Sequence, residues 1–227
     1  MYLPPYFASR DPRIAARVMR AHPFASLITT DDEGLPFITH LPLHLQEQPA
    51  PDAQAPAADK APNFVLLGHV ARPNPQWRHL QAWPRAVVSF VGPHAYLSPQ
   101  VYPDLARVPS WNYVAVHGTV QARLLPHDDA AGKDQLLKCL IGDHEPAYAQ
   151  QWIDLGTELQ HKLLAGIVAF ELTVTDWQCK LKLNQHRPES HAALHARYAQ
   201  GTPDERALAG WMAELGLTGA AAPDKGE

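Results

Sequence analysis

The side chains best suited to chemistry cluster in residues 68–77, Gly-His-Val-Ala-Arg-Pro-Asn-Pro-Gln-Trp, after an apolar run that predicts a buried strand. Each proline fixes its own φ angle and favours extended geometry in the residue before it, so Arg72 and Asn74 lie on stiff backbone. Asn74 followed by Pro75 also predicts the start of a short helix. A guanidinium beside the N–H groups of a helix start suits a phosphate, and the alternative is a structural turn with an exposed arginine.

Strand and hairpin patterns dominate the first half of the chain. A helix is predicted from Pro12, followed by a hairpin of two strands over 24–30 and 37–45. Pro42 places part of the second strand at an edge or unpaired. A turn at Gly92-Pro93 is predicted to end the strand over 86–91. The other predicted strands cover 64–67, 86–91, 111–120 and 167–175, and the last continues through 180–187.

Helical spacing of apolar residues predicts helices over 128–140, from Pro146 through Leu163, over 188–200 and over 203–215. The last one starts with the capping box Thr202-Pro-Asp-Glu. We therefore divide the chain into a barrel domain, residues 1–187, and a helical extension with a disordered tail, residues 188–227. Within the first, we expect a mobile loop at 46–62 and inserted helices at 127–165.

About six strands in hairpin-like order, with helices inserted between and after them, predict a mainly β fold of the α+β type, a β-barrel with peripheral helices. A doubly wound parallel sheet would need helices between most strands, and the first half of the chain lacks them.

Composition narrows the class of protein. The 227 residues carry a formal net charge of −4, so no broad basic surface for nucleic acid is indicated. The start of the chain lacks the pattern of a signal peptide, and no apolar stretch approaches the roughly 20 residues of a membrane span. Cys139 and Cys179 have no paired spacing, so neither a disulfide framework nor a thiolate metal site is indicated. We expect a cytoplasmic protein.

Several polar clusters, together with the opening Met-Tyr-Leu-Pro-Pro-Tyr-Phe, carry a family resemblance over roughly residues 1–215. The clusters are Thr39–Pro42, His69–Trp77, Gly92–Pro99, Pro109–Tyr113 and Lys182–Arg187. In these motifs the chain resembles the PaiB family of FMN-binding negative transcriptional regulators. The resemblance implies a six-stranded split β-barrel like that of the pyridoxamine-phosphate-oxidase group, a homodimer, and FMN bound between the two chains. It also implies repression of sporulation and degradative-enzyme genes, as named for members from bacilli.

The chain departs from the family pattern at three places. Ser110 stands where threonine is usual, which keeps the hydroxyl, and Pro73 stands where alanine is more frequent. The segment Lys182–Arg187 matches the usual Lys-Leu-Ser-Gln-Asn-Arg motif only loosely.

If FMN is the ligand, it needs a phosphate cradle, a flat apolar slot and hydrogen-bond partners along the isoalloxazine edge, and candidate residues can be assigned to each. Arg72 and Asn74 are predicted to bind the phosphate, with Gln185 and Arg187 as later contributors. Flanking and covering positions are predicted at Thr39, His40, Leu41, His69, Val70 and Trp77, and Trp111 and Asn112 line the flavin slot from the partner subunit. The alternatives are structural hydrogen bonds for the histidines, core packing for Trp77, interface packing for Trp111 and Asn112, and a solvated strand end for Gln185 and Arg187.

Other classes of site are weakly indicated. The histidine pairs 40/44 and 191/195 each lack a third ligand at suitable spacing, so no metal is predicted. The two C-terminal helices have helix-turn-helix lengths but carry more acidic than basic residues, which argues against direct DNA binding by them. No nucleophile–base constellation or acid/base pair stands out, so no catalytic residue is indicated. Flavin redox chemistry needs none, because the cofactor carries it. A flavin-dependent regulator, an oxidoreductase and a flavin store remain open.

Overall fold

The computed structural model describes residues 1–48, 63–104 and 106–219. The strands of this part are β1 Ala8–Ser9, β2 Phe24–Thr30, β3 Pro36–Pro42, β4 His44–Gln48, β5 Asn63–Ala71, β6 Arg85–Leu97, β7 Ser110–Leu124 and β8 Ile167–Lys182. The α-helices are α1 Pro12–Ala21, α2 Gln76–Ala82, α3 Ala130–His144, α4 Tyr148–Asp154, α5 Thr157–Ala165, α6 His191–Ala199 and α7 Pro203–Glu214. Over the described ranges, each helix is too short or too polar to cross a membrane.

The strands form one sheet in the order β3-β2-β6-β7-β8-β5-β4, and β1 pairs with β8. The pairs β2–β3, β2–β6, β4–β5 and β5–β8 are antiparallel. Because β3 and β4 stand at the two ends of the order, the sheet in the described chain is open. The predicted α+β class is confirmed, but eight strands replace the expected six because β1 was missed and the strand over 37–45 is two strands.

One compact unit comprises residues 12–90 and 117–177, apart from those outside the described ranges. Alternation of buried and exposed residues in β2 puts Ala25, Leu27 and Thr29 on its inner face. Helix α3 covers the sheet through Leu136 and Leu140, and this layer holds the candidate site. Leu136 and Leu140 pack in one apolar cluster with Val65, Leu67, Leu125 and Ala169 of the sheet and its connections.

The other compact unit comprises, in the described chain, residues 1–11, 91–104, 106–116 and 178–219. Helices α6 and α7 belong to it, and Tyr198, Leu208 and Met212 are fully buried there. The predicted capping box is confirmed, since the Thr202 side chain accepts from the Glu205 N–H and the Glu205 carboxylate accepts from the Thr202 N–H. The predicted boundary at residue 187 remains a prediction.

Two strand predictions need correction. The strand over 37–45 breaks at Leu43, directly after Pro42, because proline cannot donate the next ladder hydrogen bond. Gly92 and Pro93 do not form a turn but lie inside β6. The two are buried in succession, so the alternation of buried residues shifts by one position there, as at a β-bulge, and the strand continues.

Three other boundaries differ from the prediction. The helix expected from Pro146 through Leu163 is two helices, α4 and α5, separated at Gly156, which adopts a φ of 76°. Residues after Lys182 do not continue the strand, because Asn184 adopts a left-handed φ of 67° and turns the chain. Residues 46–48 belong to β4. The rest of the predicted mobile loop and residues 220–227 of the predicted tail lie outside the described residues.

We expect Gly68→Ala to destabilise the protein by about 1–3 kcal/mol, as overpacking of a core does. A Cβ atom at Gly68 would lie 2.5 Å from Leu43 Cδ2 and 3.1 Å from a Phe170 ring carbon, both in the core. The control is Gly118→Ala, whose Cβ would meet Val174 at an ordinary 3.6 Å. Urea unfolding of both variants measures the difference, and equal midpoints would contradict the expectation.

Candidate functional site

The corner after β5 is bonded to the connection between α5 and β8. The backbone N–H of Arg72 donates to the Gly166 carbonyl at 2.9 Å. Its side-chain Nε donates to the Ala165 carbonyl at 2.9 Å, and Nη2 donates to the Ile167 carbonyl at 3.3 Å. These bonds hold the guanidinium half-buried in one orientation, so Arg72 is not a free surface arginine.

A histidine and a second cation stand beside Arg72. Arg72 Nη2 lies 2.6 Å from His127 Nδ1, and since a guanidinium only donates, this ring nitrogen is the acceptor. Lys133, from the first turn of α3, is 2% exposed. Its Nζ donates to the carbonyl of His127 at 2.8 Å and to that of Leu164 at 3.3 Å.

The electrostatics of this cluster are unusual. Burial lowers the pKa of Lys133, and the positive charge of Arg72 lowers it further, while Asp129 and Asp128 act in the opposite direction. Among the residues that the structure describes, no carboxylate lies within ion-pair distance of Arg72 or Lys133. Within the described chain, these two cations thus donate to backbone carbonyls and to a histidine nitrogen rather than to carboxylates.

Both cations line a pocket of about 320 Å³. The other lining residues are mostly apolar and come from α2, β7, β8 and the segment after β7: Trp77, Gln81, Leu124, Leu125, Pro126, His127 and Val168. The pocket therefore combines a positive end with an apolar wall, as sites for charged organic ligands do.

Asn74 shapes the corner but does not point a free amide at a ligand. Its Oδ1 accepts from the backbone N–H of Gln76 at 2.9 Å, so it supports the start of α2, which begins one residue later than predicted. Its Nδ2 donates to Thr39 Oγ1 at 3.0 Å. Two predicted site residues, Asn74 and Thr39, are thereby brought together in a structural bond.

Helix α2 is fixed onto β2 and β3 by buried polar residues that the sequence analysis missed. Gln76, which is fully buried, donates through Nε2 to the Leu27 carbonyl at 2.8 Å and to the Phe37 carbonyl at 3.4 Å. The ring of His79 meets the edge of Phe37 at a centroid distance of 5.0 Å. Trp77 Nε1 donates to the Arg72 carbonyl at 3.0 Å, which joins helix and corner.

The predicted residues on β3 are separated by strand alternation. Thr39 and Leu41 point to the inner side, and Leu41 is only 4% exposed. His40 lies on the opposite, exposed face, where its Nδ1 is 2.9 Å from Ser26 Oγ and its ring is near Phe24. Of these three, only His40 presents its side chain at the surface.

His69 and Val70 in β5 also lie on opposite faces. Val70 is buried, which leaves only its backbone for a ligand contact. His69 Nδ1 is buried without a hydrogen-bond partner in the described chain, and burial lowers the pKa of this histidine. An unpartnered buried nitrogen is rare in native proteins and often marks a group that a ligand satisfies.

Trp111 and Asn112 lie in the other compact unit and differ in accessibility. Trp111 is 53% exposed, and its ring is 6.2 Å from the rings of His94 and Tyr96. Asn112 is fully buried and donates to the Tyr198 hydroxyl at 3.3 Å, while burial raises the pKa of Tyr198 to about 12. The packing alternative fits Asn112, and its contact with a flavin remains a prediction.

Gln185 and Arg187 lie in the turn after β8. The Gln185 side chain bonds to its own turn, accepting from the Leu183 N–H at 2.9 Å and donating to the Leu181 carbonyl. Asn184 holds the turn, since its Oδ1 accepts from the Tyr102 hydroxyl at 3.1 Å and its Nδ2 donates to Ser190 at 2.7 Å. The predicted phosphate contacts of Gln185 and Arg187 remain predictions.

Lys133 and His127 are the site residues that sequence reasoning missed. Lys133 stands three residues before Leu136 and seven before Leu140, so it falls on the apolar stripe of α3. A lysine within an apolar stripe is the sequence signal that could have identified Lys133 as a buried cation. Across the described residues, no group of three or more His, Cys, Asp or Glu side chains is arranged to hold a metal ion.

A family model described as "Putative FMN-binding domain" matches residues 1–176 of the chain. A Bacillus subtilis (strain 168) protein named "Protease synthase and sporulation protein PAI 2" is 33% identical over 190 residues, covering 84% of each chain. The chain belongs to the PaiB family of FMN-binding proteins. FMN is therefore its cofactor, and the resemblance inferred from the motifs is confirmed.

Solved structures share the fold at low sequence identity. A protein from Bacteroides thetaiotaomicron described as a "putative 5-nitroimidazole antibiotic resistance protein" aligns with a TM-score of 0.55 at 11% identity, covering 76% of this chain and 85% of its own. The flavocytochrome Anf3 of Azotobacter vinelandii aligns with a TM-score of 0.56 at 15% identity, covering 78% and 69%. These similarities concern the fold alone, and they agree with the predicted split β-barrel.

Proposed function

We propose that this PaiB-family protein is a homodimer in which Arg72 and Lys133 hold the phosphate of FMN. The observation that carries the proposal is that Arg72 and Lys133 line one pocket and have no carboxylate within ion-pair distance among the described residues. A phosphate offers two negative charges and three acceptor oxygens, which would satisfy both cations. Compared with the sequence prediction, Lys133 takes the place of Asn74, whose amide is already bonded at both ends.

The remainder of the cofactor needs more room than this pocket provides. A volume of about 320 Å³ is near the lower limit of ligand sites, so it suits the phosphate and the adjoining ribityl chain. We assign the isoalloxazine ring to a surface beyond it, with His40, His69, Trp77 and the partner's Trp111 as candidate contacts. The bound flavin would supply the capacity to accept and return electrons, and the chain would supply binding and orientation.

Arg72→Ala should weaken FMN binding by about 1.5–3 kcal/mol, the cost of losing a hydrogen bond to a charged group. Titration of the apoprotein with FMN, followed by flavin fluorescence, measures the change. Arg85→Ala is the control, since Arg85 is an exposed arginine that does not line this pocket. An unchanged dissociation constant for Arg72→Ala would remove this residue from the phosphate site.

FMN affinity should fall as the pH rises through the lowered pKa of Lys133. Lys133 carries its charge below its pKa, and because burial and Arg72 lower that pKa, the charge is lost at a lower pH than for an ordinary lysine. The dissociation constant should thus rise with pH in wild type and stay flat in Lys133→Met. Lys138→Met, in the same helix but paired with Asp134, should keep the wild-type profile. A wild-type profile in Lys133→Met would exclude Lys133.

An exposed apolar face supports the homodimer. Registers Ile28↔Ile38 and Ile28↔Val87 place these side chains on one side of β3-β2-β6, together with Phe24. Phe24 is 69%, Ile38 53% and Val87 39% exposed. An apolar sheet face of this kind is a typical protein interface, and we propose a second copy of the chain as its partner.

Ile38→Lys should convert the dimer to a monomer, because two copies would bury unpaired charges in the shared interface. Sedimentation velocity of the FMN-bound protein measures the mass. Trp83→Lys is the control, since Trp83 is 67% exposed but lies outside this face. A monomeric wild type, or a dimeric Ile38→Lys variant, would reject this face as the dimer interface.

The relative from Bacillus subtilis is named for protease synthesis and sporulation, which supports a role in controlling gene expression. We propose this regulatory role for the FMN-bound dimer. A second candidate is an oxidoreductase that passes electrons from the flavin to a small substrate. The charge of α7 favours the second, because Asp204, Glu205 and Glu214 outnumber its one basic residue, Arg206.

The two roles predict different experimental results. A regulator that contacts DNA should retard promoter fragments in a gel, and retention should weaken with added salt, since counterion release accompanies phosphate contacts. An oxidoreductase should oxidise NADH or NADPH steadily and only when FMN is bound. If promoter fragments are not retarded at low salt with FMN present, and NADH or NADPH is oxidised steadily, the oxidoreductase role is favoured over the regulatory role.

We also place the protein in the cytoplasm. Cys139 and Cys179 are both free thiols, and burial raises the pKa of Cys179 to about 12, which keeps it protonated. Unpaired thiols are typical of proteins in reducing compartments.

A further inference from the structure

Among the described residues, a further cation without an acidic partner lies in the unit that contains α6 and α7. Lys182, the last residue of β8, reaches the first residues of β7. Its Nζ is 2.6 Å from Ser110 Oγ and 2.6 Å from the Trp111 carbonyl oxygen. Both partners are neutral, and no carboxylate of the described chain lies within ion-pair distance of Lys182.

Lys182 and Ser110 do not use all of their hydrogen-bond donors in the contacts described above. An ammonium group has three N–H donors, of which two are used by Ser110 and the Trp111 carbonyl. Because Lys182 donates to Ser110 Oγ, the hydroxyl hydrogen of the serine is directed elsewhere. The Lys182 Nζ also lies 6.0 Å from the centre of the Tyr113 ring. In the described chain, one N–H and one O–H, on atoms 2.6 Å apart, therefore remain for a further acceptor. Lys182 is only partly buried, so these donors are accessible.

The surrounding charge reinforces this arrangement. Lys180, two residues earlier on the same face of β8, is 6% exposed and donates to the Tyr2 carbonyl at 3.0 Å. Its Nζ lies 5.1 Å from the centre of the Tyr113 ring. Burial lowers the pKa of Lys182, and the charge of Lys180 lowers it further. The nearby acid, Glu189, faces Arg107 at 3.7 Å rather than either lysine.

We propose that Lys182 and Ser110 form a binding site for an oxyanion, the carboxylate or phosphate group of a small molecule. The two free donors match two oxygens of one such group, and Lys180 adds a fixed positive charge. This site is built from residues other than those of the Arg72 pocket. As a site separate from that of FMN, it rests on the proposed binding of the FMN phosphate by Arg72 and Lys133.

The test uses the full-length protein saturated with FMN, so that the cofactor site is occupied. Its melting temperature is followed while sodium phosphate or sodium acetate is added, with sodium chloride at matched ionic strength as reference. A ligand that binds the folded state raises the melting temperature in a concentration-dependent way. We expect phosphate or acetate to exceed chloride in wild type. A stronger response to phosphate assigns a phosphate ligand, and a stronger response to acetate assigns a carboxylate.

Three variants test whether the rise in melting temperature comes from anion binding at Lys182 and Ser110. Lys182→Gln should weaken the apparent anion affinity about tenfold, and Ser110→Ala about threefold, since Lys182 supplies a positive charge as well as a hydrogen bond and Ser110 supplies a hydrogen bond alone. Lys162→Gln removes the same charge from an exposed position in α5 and should behave as wild type. The proposal is overturned if wild type responds only as to chloride, or if Ser110→Ala and Lys182→Gln respond like Lys162→Gln. Should Lys182→Gln fail to fold, Ser110→Ala decides alone.

Discussion

The hydrogen bonds between Arg72 and residues 165–167 are the constraint on which the candidate site depends. They extend the β5–β8 ladder, whose last pair is Ala71↔Ile167, by one backbone bond and two side-chain bonds. A long side chain that would otherwise rotate freely is thereby held in one direction. His127 and Lys133 can meet it only because the segment after β7 and the start of α3 lie against the same corner.

The helix beside the corner shows how the fold supports this constraint. Gln76 fixes α2 to main-chain carbonyls of β2 and β3, and Asn74 joins the corner to Thr39. Each bond satisfies a backbone or side-chain group that would be costly to bury alone. The polar residues predicted to contact the cofactor are in part the ones that hold the corner rigid. Rigid support of this kind is what a preorganised binding site requires.

Local charge in this protein differs from its overall charge. The chain has a formal net charge of −4, yet in its described part Lys133 and Lys182 donate to neutral oxygens and not to carboxylates. Burying an unpaired cation costs folding free energy, and the lowered pKa values of both lysines reflect that cost. Perturbed pKa values of this kind cluster at functional sites, where a ligand can supply the opposite charge. The acidic composition is thus informative about the surface in general and uninformative about these two places.

The sequence by itself determined the elements whose signals lie within a few residues: β2 over Phe24–Thr30, the capping box at Thr202, and the stiff corner carrying Arg72. Its motifs also determined the family. Only the tertiary structure decided that His127 and Ala165, 55 and 93 residues away, contact the Arg72 side chain, and that Lys133 is buried beside it. Periodicity and capping are local, whereas such contacts depend on the register of distant strands and the seating of a helix on them.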